Sequence, residues 1–371
     1  MVTPGQTFRF ERIRRDAGGS ARVGRIETAH GAVDTPAFMP VGTQGALKAL
    51  LPSQAEALGV EMILANTYHL YLRPGSETIR AAGGLHRFMG WRKPILTDSG
   101  GFQVYSLAKL RKITPEGVLF QSHIDGSRHL MTPEKALAVQ ETIGSDIMMC
   151  LDECTPYRHS REETEKSLKL TTDWAARSRR CRTSHDQALF GIVQGGTYPE
   201  LRRRAAEEIT AVGFDGYAIG GVSVGEPREL MYETVERTAP LLPEDRPRYL
   251  MGVGTPEDIV RCVGWGIDMF DCVLPTRCAR HGLLFTNQEK VVIKHARYRD
   301  DQEPPDRDCD CHTCRNFSRA YLRHLFVAGE ILALVLNTIH NVRYYIRLME
   351  RIRRAIAEGG YADFQKEFLK R

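Results

Sequence analysis

One carboxylate, Asp271, interrupts the apolar run Met269-Phe-Asp-Cys-Val-Leu274. Such a run is typical of a strand that is buried on both faces. A charge inside a buried strand costs several kcal/mol unless it has a partner or a chemical task. Pro275 ends the run, and Arg277 and Arg280 follow within a few residues. The pattern leaves two interpretations open: a structural Asp bonded to a neighbouring loop, or a catalytic carboxylate.

Similar polar groups follow other short apolar runs along the chain. They stand in the segments Asp98-Ser-Gly-Gly-Phe-Gln103, Asp152-Glu-Cys-Thr-Pro156, Gln194-Gly-Gly196, Ile219-Gly-Gly-Val-Ser-Val-Gly-Glu226 and Met251-Gly-Val-Gly254. The carboxyl ends of parallel strands meet on one face of a barrel, where catalytic groups collect. The sequence therefore predicts one site with three carboxylates and one amide, which favours the catalytic interpretation of Asp271.

The types of these groups indicate a ligand. Carboxylates accept hydrogen bonds from N–H groups, whereas a Gln amide and backbone N–H groups donate to a carbonyl. Guanine presents N1–H and a 2-amino group beside O6, which is the matching pattern. Paired glycines let backbone N–H groups approach a flat ligand closely. Phe102 is either a ring that stacks on such a ligand or an ordinary core aromatic.

The segment Cys309-Asp-Cys-His-Thr-Cys314, followed by His340, predicts a metal site. Three thiolates and one imidazole form a tetrahedral Cys₃His zinc site, and because all four positions are filled the zinc should be structural. His312 competes as the fourth ligand, but we favour His340, since His312 is cramped between its neighbours. Redox activity of the close thiols is the alternative. The other six cysteines are scattered, which suits reduced core thiols.

Arg277 and Arg280 begin a basic segment that continues with Lys290, Lys294, Arg297 and Arg299. Their position next to Asp271 favours phosphate binding. A second group of arginines lies between residues 343 and 354, where a solvated helix face explains them equally well.

Eight short apolar runs, separated by amphipathic stretches, must position these groups. The runs cover residues 37–41, 62–65, 94–97, 147–151, 188–193, 217–219, 249–253 and 269–274. Eight βα units predict an α/β fold, a (β/α)₈ barrel, with an open doubly wound sheet as the alternative. Alternating residues predict an antiparallel hairpin at about 7–30 before the barrel and an inserted hairpin at 104–131 over one barrel mouth.

The composition is that of a globular protein. The chain has 371 residues, 42% hydrophobic and 26% charged, with a formal net charge of +5. This mildly basic balance permits a polyanionic partner. We see neither an apolar segment of signal-peptide length nor one that could span a membrane, so we expect a cytoplasmic protein.

Taken together, these motifs resemble those of bacterial tRNA-guanine transglycosylases, also called queuine tRNA-ribosyltransferases, over nearly the whole chain. The resemblance rests on the Cys₃His site and on Asn66-Thr-Tyr-His-Leu70, Thr97-Asp-Ser-Gly-Gly-Phe-Gln103, Asp152-Glu-Cys154, Gly191-Ile-Val-Gln-Gly195, Gly220-Gly-Val-Ser-Val-Gly225 and Asp271-Cys-Val-Leu-Pro-Thr-Arg277. It implies a single barrel domain over 1–371, with a zinc-binding subdomain at 278–345 before the C-terminal helix.

The family exchanges guanine at the anticodon wobble position of tRNA for 7-aminomethyl-7-deazaguanine, the queuosine precursor. The resemblance makes Asp271 the nucleophile and Asp98 the proton acceptor. It implies that Asp152, Gln194 and Gly221 hold the guanine edge. The implied substrate-binding set is Asp98, Ser99, Gly100, Gly101, Phe102, Asp152, Gln194, Gly220, Gly221, Val222 and Met251.

The resemblance also implies the partners. Thr276, Arg277 and Arg280 would contact RNA, in tRNAs of the aspartate, asparagine, histidine and tyrosine type, and the zinc side would form a homodimer. Val224 stands where eukaryotic relatives have glycine, so we expect a pocket narrowed to the small precursor base. Some members of the family carry Tyr where this chain has Phe102. Because Phe has no hydroxyl, we expect no role for a hydroxyl group at this position.

Three other functions remain as alternatives. A non-catalytic subunit that only binds tRNA would not need Asp98, Asp152 and Asp271. A plain glycosidase would need neither the arginines nor the zinc site. An exchange in the tRNA D-arm, as in archaeal relatives, generally brings an extra C-terminal RNA-binding domain, which we do not expect here.

Overall fold

The structure is a computed structural model that describes residues 7–107 and 111–370. Eight parallel strands form its central sheet, and each coincides with one of the apolar runs. In sheet order they are β4 (Ala37–Pro40), β14 (Met269–Cys272), β13 (Arg248–Leu250), β12 (Gly216–Ile219), β11 (Ala188–Val193), β10 (Ile147–Met149), β6 (Ile95–Asp98) and β5 (Ile63–Asn66).

The sheet is closed into a barrel. A parallel bridge joins Val41, just after β4, to Leu64 in β5, and the Gly42 N–H donates to the Leu64 carbonyl at 2.7 Å. The predicted barrel is confirmed, and the open doubly wound sheet is wrong. The strands read as continuous apolar runs because helices cover their outer faces while side chains fill the barrel inside.

Fifteen α-helices lie within the described residues. They are α1 (Pro52–Ala57), α2 (Thr67–Leu72), α3 (Ser76–Ala81), α4 (Leu85–Met89), α5 (Gly101–Leu107), α6 (Pro133–Ile143), α7 (Arg161–Cys181), α8 (Pro199–Val212), α9 (Arg228–Thr238), α10 (Pro256–Gly264), α11 (Leu274–Arg280), α12 (His312–Asn316), α13 (Arg319–Ala328), α14 (Ile331–Glu358) and α15 (Tyr361–Leu369). Short 3₁₀ turns cover Ala239–Leu241 and Ala296–Tyr298. No helix in these described ranges has the length and apolar character needed to cross a membrane.

The predicted N-terminal hairpin is present, and a third strand extends it. Strands β1 (Arg9–Arg15), β2 (Arg22–Thr28) and β3 (Gly31–Thr35) form an antiparallel sheet. Its inward side chains join the main core, which seats the sheet against the barrel. The sequence did not reveal β3 because residues 29–30 form a two-residue connection without the usual Asn-Gly or Asp-Gly signature.

The inserted segment contains three antiparallel strands rather than the expected two. They are β7 (Arg111–Thr114), β8 (Gly117–Gln121) and β9 (Arg128–Met131). Val118, Phe120 and Met131 bury their side chains against Tyr68 and Trp174. The part of the expected hairpin at 108–110 lies outside the described residues.

The segment after the last barrel strand folds against the long helix α14. Two short strands, β15 (Leu283–Leu284) and β16 (Val291–Val292), precede α12 and α13. From α14, the Tyr345 hydroxyl donates to the Gly254 carbonyl at 2.7 Å, which ties the helix to the end of a barrel strand.

Candidate active site and metal centre

The carboxyl ends of the barrel strands surround one cavity of about 470 Å³. Asp98 is the last residue of β6, Asp152 follows β10, and Asp271 lies in β14. The cavity is also lined by most of the other predicted base-binding residues, namely Ser99, Gly100, Phe102, Gln194, Gly220, Gly221, Val222 and Met251. Gly101 lies behind this wall, where a Cβ would stand 2.7 Å from the Asp152 carbonyl oxygen.

Asp271 accepts two hydrogen bonds, both through Oδ1. The donors are the Tyr249 hydroxyl at 2.6 Å and the Gly252 N–H at 2.8 Å. Burial raises the pKa of Asp271, while these two hydrogen bonds lower it by a smaller amount. The nucleophile candidate is thus oriented by neutral donors, and Oδ2 takes part in neither bond.

Asp98 is held in the same way. It accepts hydrogen bonds from the Asn66 side-chain amide, from the Thr67 N–H at 3.0 Å and from the Gly100 N–H at 3.2 Å. Burial raises the pKa of Asp98 to about 7; the hydrogen bonds lower it, and the nearby charge of Asp271 raises it further. A carboxyl group with a pKa near neutrality can both take and give a proton at working pH.

Asp152 and Gln194 form a hydrogen-bonded pair on the cavity wall. Gln194 Nε2 donates to Asp152 Oδ2 at 2.7 Å, and the Ser99 hydroxyl donates to Asp152 Oδ1 at 3.2 Å. Burial raises the pKa of Asp152 to about 6, although both hydrogen bonds lower it. Gln194 Oε1 is a buried acceptor with no donor among the described residues. An unpaired buried acceptor of this kind is costly unless a ligand N–H satisfies it.

The glycines beside Gln194 are required by space. A Cβ at Gly221 would stand 2.2 Å from Gln194 Oε1, and one at Gly220 would stand 2.7 Å from Gln194 Nε2. Gly221 also has a φ of +64°, which favours glycine. The backbone therefore lies directly against the polar wall of the cavity.

The residues after Gly221 form a loop whose amides are tied to Glu226. The N–H groups of Ser223 and Val224 both donate to the Glu226 carboxylate. Phe102, which is exposed, and the half-buried Met251 contribute apolar surface to the cavity. Val224 lines the cavity as well.

The predicted RNA contacts lie on α11, just outside the cavity lining. Arg277 is exposed, Arg280 is half-buried, and Thr276 is buried, with its hydroxyl donating to the Val273 carbonyl at 3.4 Å. Burial and the neighbouring Arg277 lower the pKa of Arg280, and one of its guanidinium nitrogens, Nη1, has no partner among the described residues. Thus the two arginines present positive charge beside the mouth of the cavity.

Two arginines of the second group are held by internal contacts, whereas Arg354 is exposed. Arg343 bonds to Asp310 at 2.8 and 2.9 Å and to Glu350 at 2.8 Å, and Arg353 donates to the carbonyls of Asp34 and Pro36. These two side chains therefore neither form a phosphate site nor belong to a solvated helix face.

The structure brings Cys309, Cys311, Cys314 and His340 together, with their ligand atoms within 4.8 Å of one another. Cys314 Sγ lies 3.2 Å and Cys311 Sγ 3.8 Å from His340 Nδ1. His340 Nε2 donates to the Phe285 carbonyl at 2.7 Å, which leaves Nδ1 to face the thiols. Three thiols and an oriented imidazole fit a metal ion such as zinc.

His312 is not part of this group. Its side chain is exposed, and Asn316 Nδ2 lies 3.2 Å from His312 Nδ1 and donates to the His312 carbonyl. The choice of His340 as the fourth member of the cluster agrees with this arrangement.

Four residues that orient the carboxylates received no role from the sequence: Asn66, Thr67, Tyr249 and Gly252. Asn66 ends β5 directly beside Asp98 in β6, Tyr249 lies within β13, and Gly252 follows it. A polar residue at the end of a predicted strand was the available signal for Asn66. For Tyr249, the signal was a hydroxyl inside a buried strand, which needs a partner.

Comparison with known proteins adds independent information. A family model described as queuine tRNA-ribosyltransferase matches residues 16–371. The queuine tRNA-ribosyltransferase of Solidesulfovibrio magneticus is 60% identical over 354 residues, which cover 94% of this chain and 94% of that protein. The proteins of the same name from Symbiobacterium thermophilum and Caldanaerobacter subterraneus are each 56% identical and span 98% of this chain and 91% and 97% of their own lengths.

These matches cover nearly the whole chain, including every strand of the barrel and the Cys₃His cluster. The chain belongs to the queuine tRNA-ribosyltransferase family, a family of pentosyl-transferring glycosyltransferases.

Proposed function

We propose that this protein replaces guanine at the wobble position of tRNA anticodons with 7-aminomethyl-7-deazaguanine, through a covalent ribosyl ester on Asp271. The observation that carries the proposal is the environment of Asp271. Its carboxylate is buried at a strand end, lines the cavity, and is oriented through Oδ1 by Tyr249 and Gly252. The resemblance, rather than the geometry, decides between Asp271 and Asp98 as nucleophile.

In the first step, Oδ2 of Asp271 attacks ribose C1′. The C1′–N9 bond of guanine breaks, and its electron pair leaves with the base. In the second step, N9 of the incoming base attacks C1′, and the ester C–O bond breaks to restore the carboxylate. Two displacements retain the configuration at C1′. Because the ester retains the free energy of the broken glycosidic bond, the exchange needs no ATP.

The proton transfers are assigned to Asp98. Its pKa of about 7 suits a group that protonates departing guanine and then accepts the N9 proton of the incoming base. Oδ1 of Asp98 accepts from Thr67 and Gly100, whereas Oδ2 accepts from Asn66, so Oδ2 keeps a second lone pair that can meet the N9 proton of the base.

The base edge is assigned to Asp152, Gln194 and the Gly221 N–H. Asp152 accepts from N1–H and the 2-amino group, and the donors face O6. Phe102 and Met251, on the cavity wall, cover the two faces of the ring.

The substituent of the deazapurine ring is assigned to the Val222 carbonyl. Val224 lines the same cavity and adds bulk where eukaryotic relatives have glycine. We expect the pure protein to reject free queuine, the large base, and Val224→Gly to admit it in a labelled-queuine incorporation assay. Efficient incorporation of queuine by the unaltered protein would refute this assignment.

The RNA is assigned to the face beside α11. Arg277 and Arg280 would hold phosphates and nucleotides that flank the target, and Thr276 would support them from a buried position. A single-stranded anticodon loop lets the target base leave its stack at low cost. The expected substrates are the aspartate, asparagine, histidine and tyrosine tRNAs.

We assign one structural Zn²⁺ to Cys309, Cys311, Cys314 and His340, within a subdomain at 278–345 of a single catalytic domain. All four members are protein groups, so no position remains for a reacting water. Cys309→Ser should lower the thermal unfolding temperature and the zinc content together. Loss of zinc without any loss of stability would contradict a structural role.

We also expect a cytoplasmic homodimer. The zinc side carries exposed apolar side chains, including Tyr321, Val327 and Ile331, which supports burial against a second copy. Sedimentation of the protein at several concentrations tests this directly.

The experiment that tests the function is exchange of radiolabelled guanine into a minimal anticodon hairpin, with and without the aminomethyl deazaguanine. Label should enter the hairpin, the deazaguanine should displace it irreversibly, and a hairpin with adenine at the wobble position should stay unlabelled. Asp271→Asn should abolish the exchange; exchange at a near-normal rate would show that the assignment is wrong. Uptake of water in place of a base would identify a glycosidase instead.

A further inference from the structure

Three aspartates occupy equivalent positions at the other end of the barrel. Asp146, Asp215 and Asp268 directly precede β10, β12 and β14. Each carboxylate accepts a backbone N–H at the start of a neighbouring strand: Ile95 at 2.8 Å, Leu189 at 2.9 Å and Arg248 at 2.7 Å, in that order. These carboxylates cap amides that would otherwise be unpaired where the strands begin.

Two of the three carboxylates have a permanent counter-charge. Asp268 binds Arg22 through Nε at 2.9 Å, and Asp215 binds Arg182 Nη1 at 2.7 Å. Asp146 forms no ion pair with a lysine or arginine in the part of the chain that the structure describes. Its partners are His30 Nδ1 at 2.7 Å and His86 Nε2 at 3.1 Å. Unlike a guanidinium, an imidazole carries no permanent charge near neutral pH.

The site around Asp146 is built from three distant segments. His30 lies in the connection between β2 and β3, His86 in α4, and Asp146 in the loop before β10. The two imidazole rings are stacked, with centroids 3.5 Å apart, and one nitrogen of each ring contacts the carboxylate. The Asp146 side chain is buried, whereas that of His30 is 39% exposed, so the group opens to solvent on one side.

We propose that His30, His86 and Asp146 bind one divalent transition-metal ion, at the opposite end of the barrel from the base cavity. Two imidazoles and a carboxylate are a ligand set for first-row metals, and solvent on the open side supplies the remaining ligand. The three ligand atoms lie within 4.8 Å of one another. The stacked rings must open slightly to converge on an ion, and His30, at the surface, can turn to do so.

At Asp146, the ion would take the part that an arginine guanidinium takes at Asp268 and at Asp215. It would neutralise the buried Asp146 and join the N-terminal sheet, α4 and the barrel at one point. Burial raises the pKa of Asp146, but the hydrogen bonds from His86 and His30 outweigh it and lower that pKa, so the carboxylate is ionised and ready to bind a cation. The expected role is stability, because the site contributes no residue to the base cavity.

Cobalt is a suitable probe, since its spectrum distinguishes ligands. Protein that holds one Zn²⁺ per chain, enough to fill the Cys₃His cluster alone, is titrated with Co²⁺ and followed by visible absorption and calorimetry. We expect one Co²⁺ per chain with bands of nitrogen and oxygen ligands, no thiolate-to-cobalt charge transfer from the Cys₃His cluster, and a higher unfolding temperature. His30→Ala and His86→Gln should each weaken binding by at least about tenfold, which is the smallest loss typical when even a supporting group of a metal site is removed.

The matched control is His185→Ala, which removes an exposed histidine elsewhere and should bind Co²⁺ like the unaltered protein. Because His30 is at the surface, its replacement tests the proposal even if His86→Gln folds poorly. Absence of stoichiometric binding, or equal binding by all the variants, would overturn the proposal.

Discussion

The buried carboxylates at the two ends of the barrel have different kinds of partner. At the carboxyl ends of the strands, the acids accept hydrogen bonds from neutral groups only, namely backbone N–H, amide and hydroxyl donors; these acids are Asp98, Asp152 and Asp271. At the other end, arginines or histidines face the acids; these are Asp146, Asp215 and Asp268.

The pKa shifts of Asp98 and Asp146 differ because of the groups that contact them, since both side chains are buried. Burial raises the pKa of Asp98 to about 7, although three donors contact it. Asp146 is similarly enclosed, yet the hydrogen bonds from its two histidines outweigh burial and lower its pKa. A carboxylate beside a cation stays ionised and contributes to stability, whereas one held by neutral donors can exchange a proton or attack a carbon.

Among the variants that test this difference between the two ends, Asp98→Asn should have the largest effect. Asp98→Asn should reduce exchange of labelled guanine by about 10²–10⁴-fold, the usual contribution of a general acid–base group. The unfolding temperature should change little, because the introduced amide oxygen can accept from Thr67 and Gly100 and the Asn66 amide can turn so that its oxygen accepts from the introduced NH2 group. Exchange at the normal rate would mean that Asp98 is structural, like the acids at the opposite end.

Asp268→Asn should act on stability alone. It leaves the buried guanidinium of Arg22 without its carboxylate, and breaking a buried ion pair costs about 3–5 kcal/mol. Urea unfolding measures this loss, while exchange per folded molecule should be unchanged. The control is Asp34→Asn, which breaks the exposed pair with Arg25 and should change the stability little, because solvent screens exposed pairs. A loss of exchange per folded molecule in Asp268→Asn would show that an acid at this end also contributes to catalysis, which contradicts the comparison.

The smallest effect concerns pH. The folded pKa values of Asp98 and Asp152, about 7 and about 6, lie above the value of roughly 3.9 in an unfolded chain. Each raised pKa contributes stability that is fully present below about pH 4 and is lost as pH rises through the folded value. The free energy of unfolding of the ligand-free protein should therefore decline between pH 5 and 8.

Asp98→Asn should flatten this decline by on the order of 2 kcal/mol, measured by urea unfolding at the two pH values. Asp34→Asn should leave the slope as it is in the unaltered protein. Equal slopes in the unaltered protein and in Asp98→Asn would show that the cavity does not raise the pKa of Asp98.

The strands and the position of the cavity could be predicted from the sequence because both are local signals. Apolar runs mark the strands, and the polar groups that follow them, such as Asp98 and Asp152, must meet at one end. The Cys₃His cluster was also predictable, since three of its members lie within six residues of one another.

The partners of the acids could not be predicted, because they depend on register and on distant contacts. Asn66 faces Asp98 only in the register of β5 against β6. Arg22 and Asp268 are 246 residues apart, and His30 and Asp146 are 116 apart. The sequence showed an Asp directly before the runs at 147–151 and 269–274, and one residue further from the run at 217–219, but it did not show the partners of these acids.

The central claim is that Asp271 forms the covalent intermediate, and trapping tests it most directly. An anticodon hairpin is incubated with the protein without an incoming base, quenched in denaturant and separated on a denaturing gel. The unaltered protein and Asp268→Asn should each give an RNA–protein adduct. Asp271→Asn, which can still accept hydrogen bonds from Tyr249 and Gly252, should give none. An adduct of normal yield in Asp271→Asn would contradict the account.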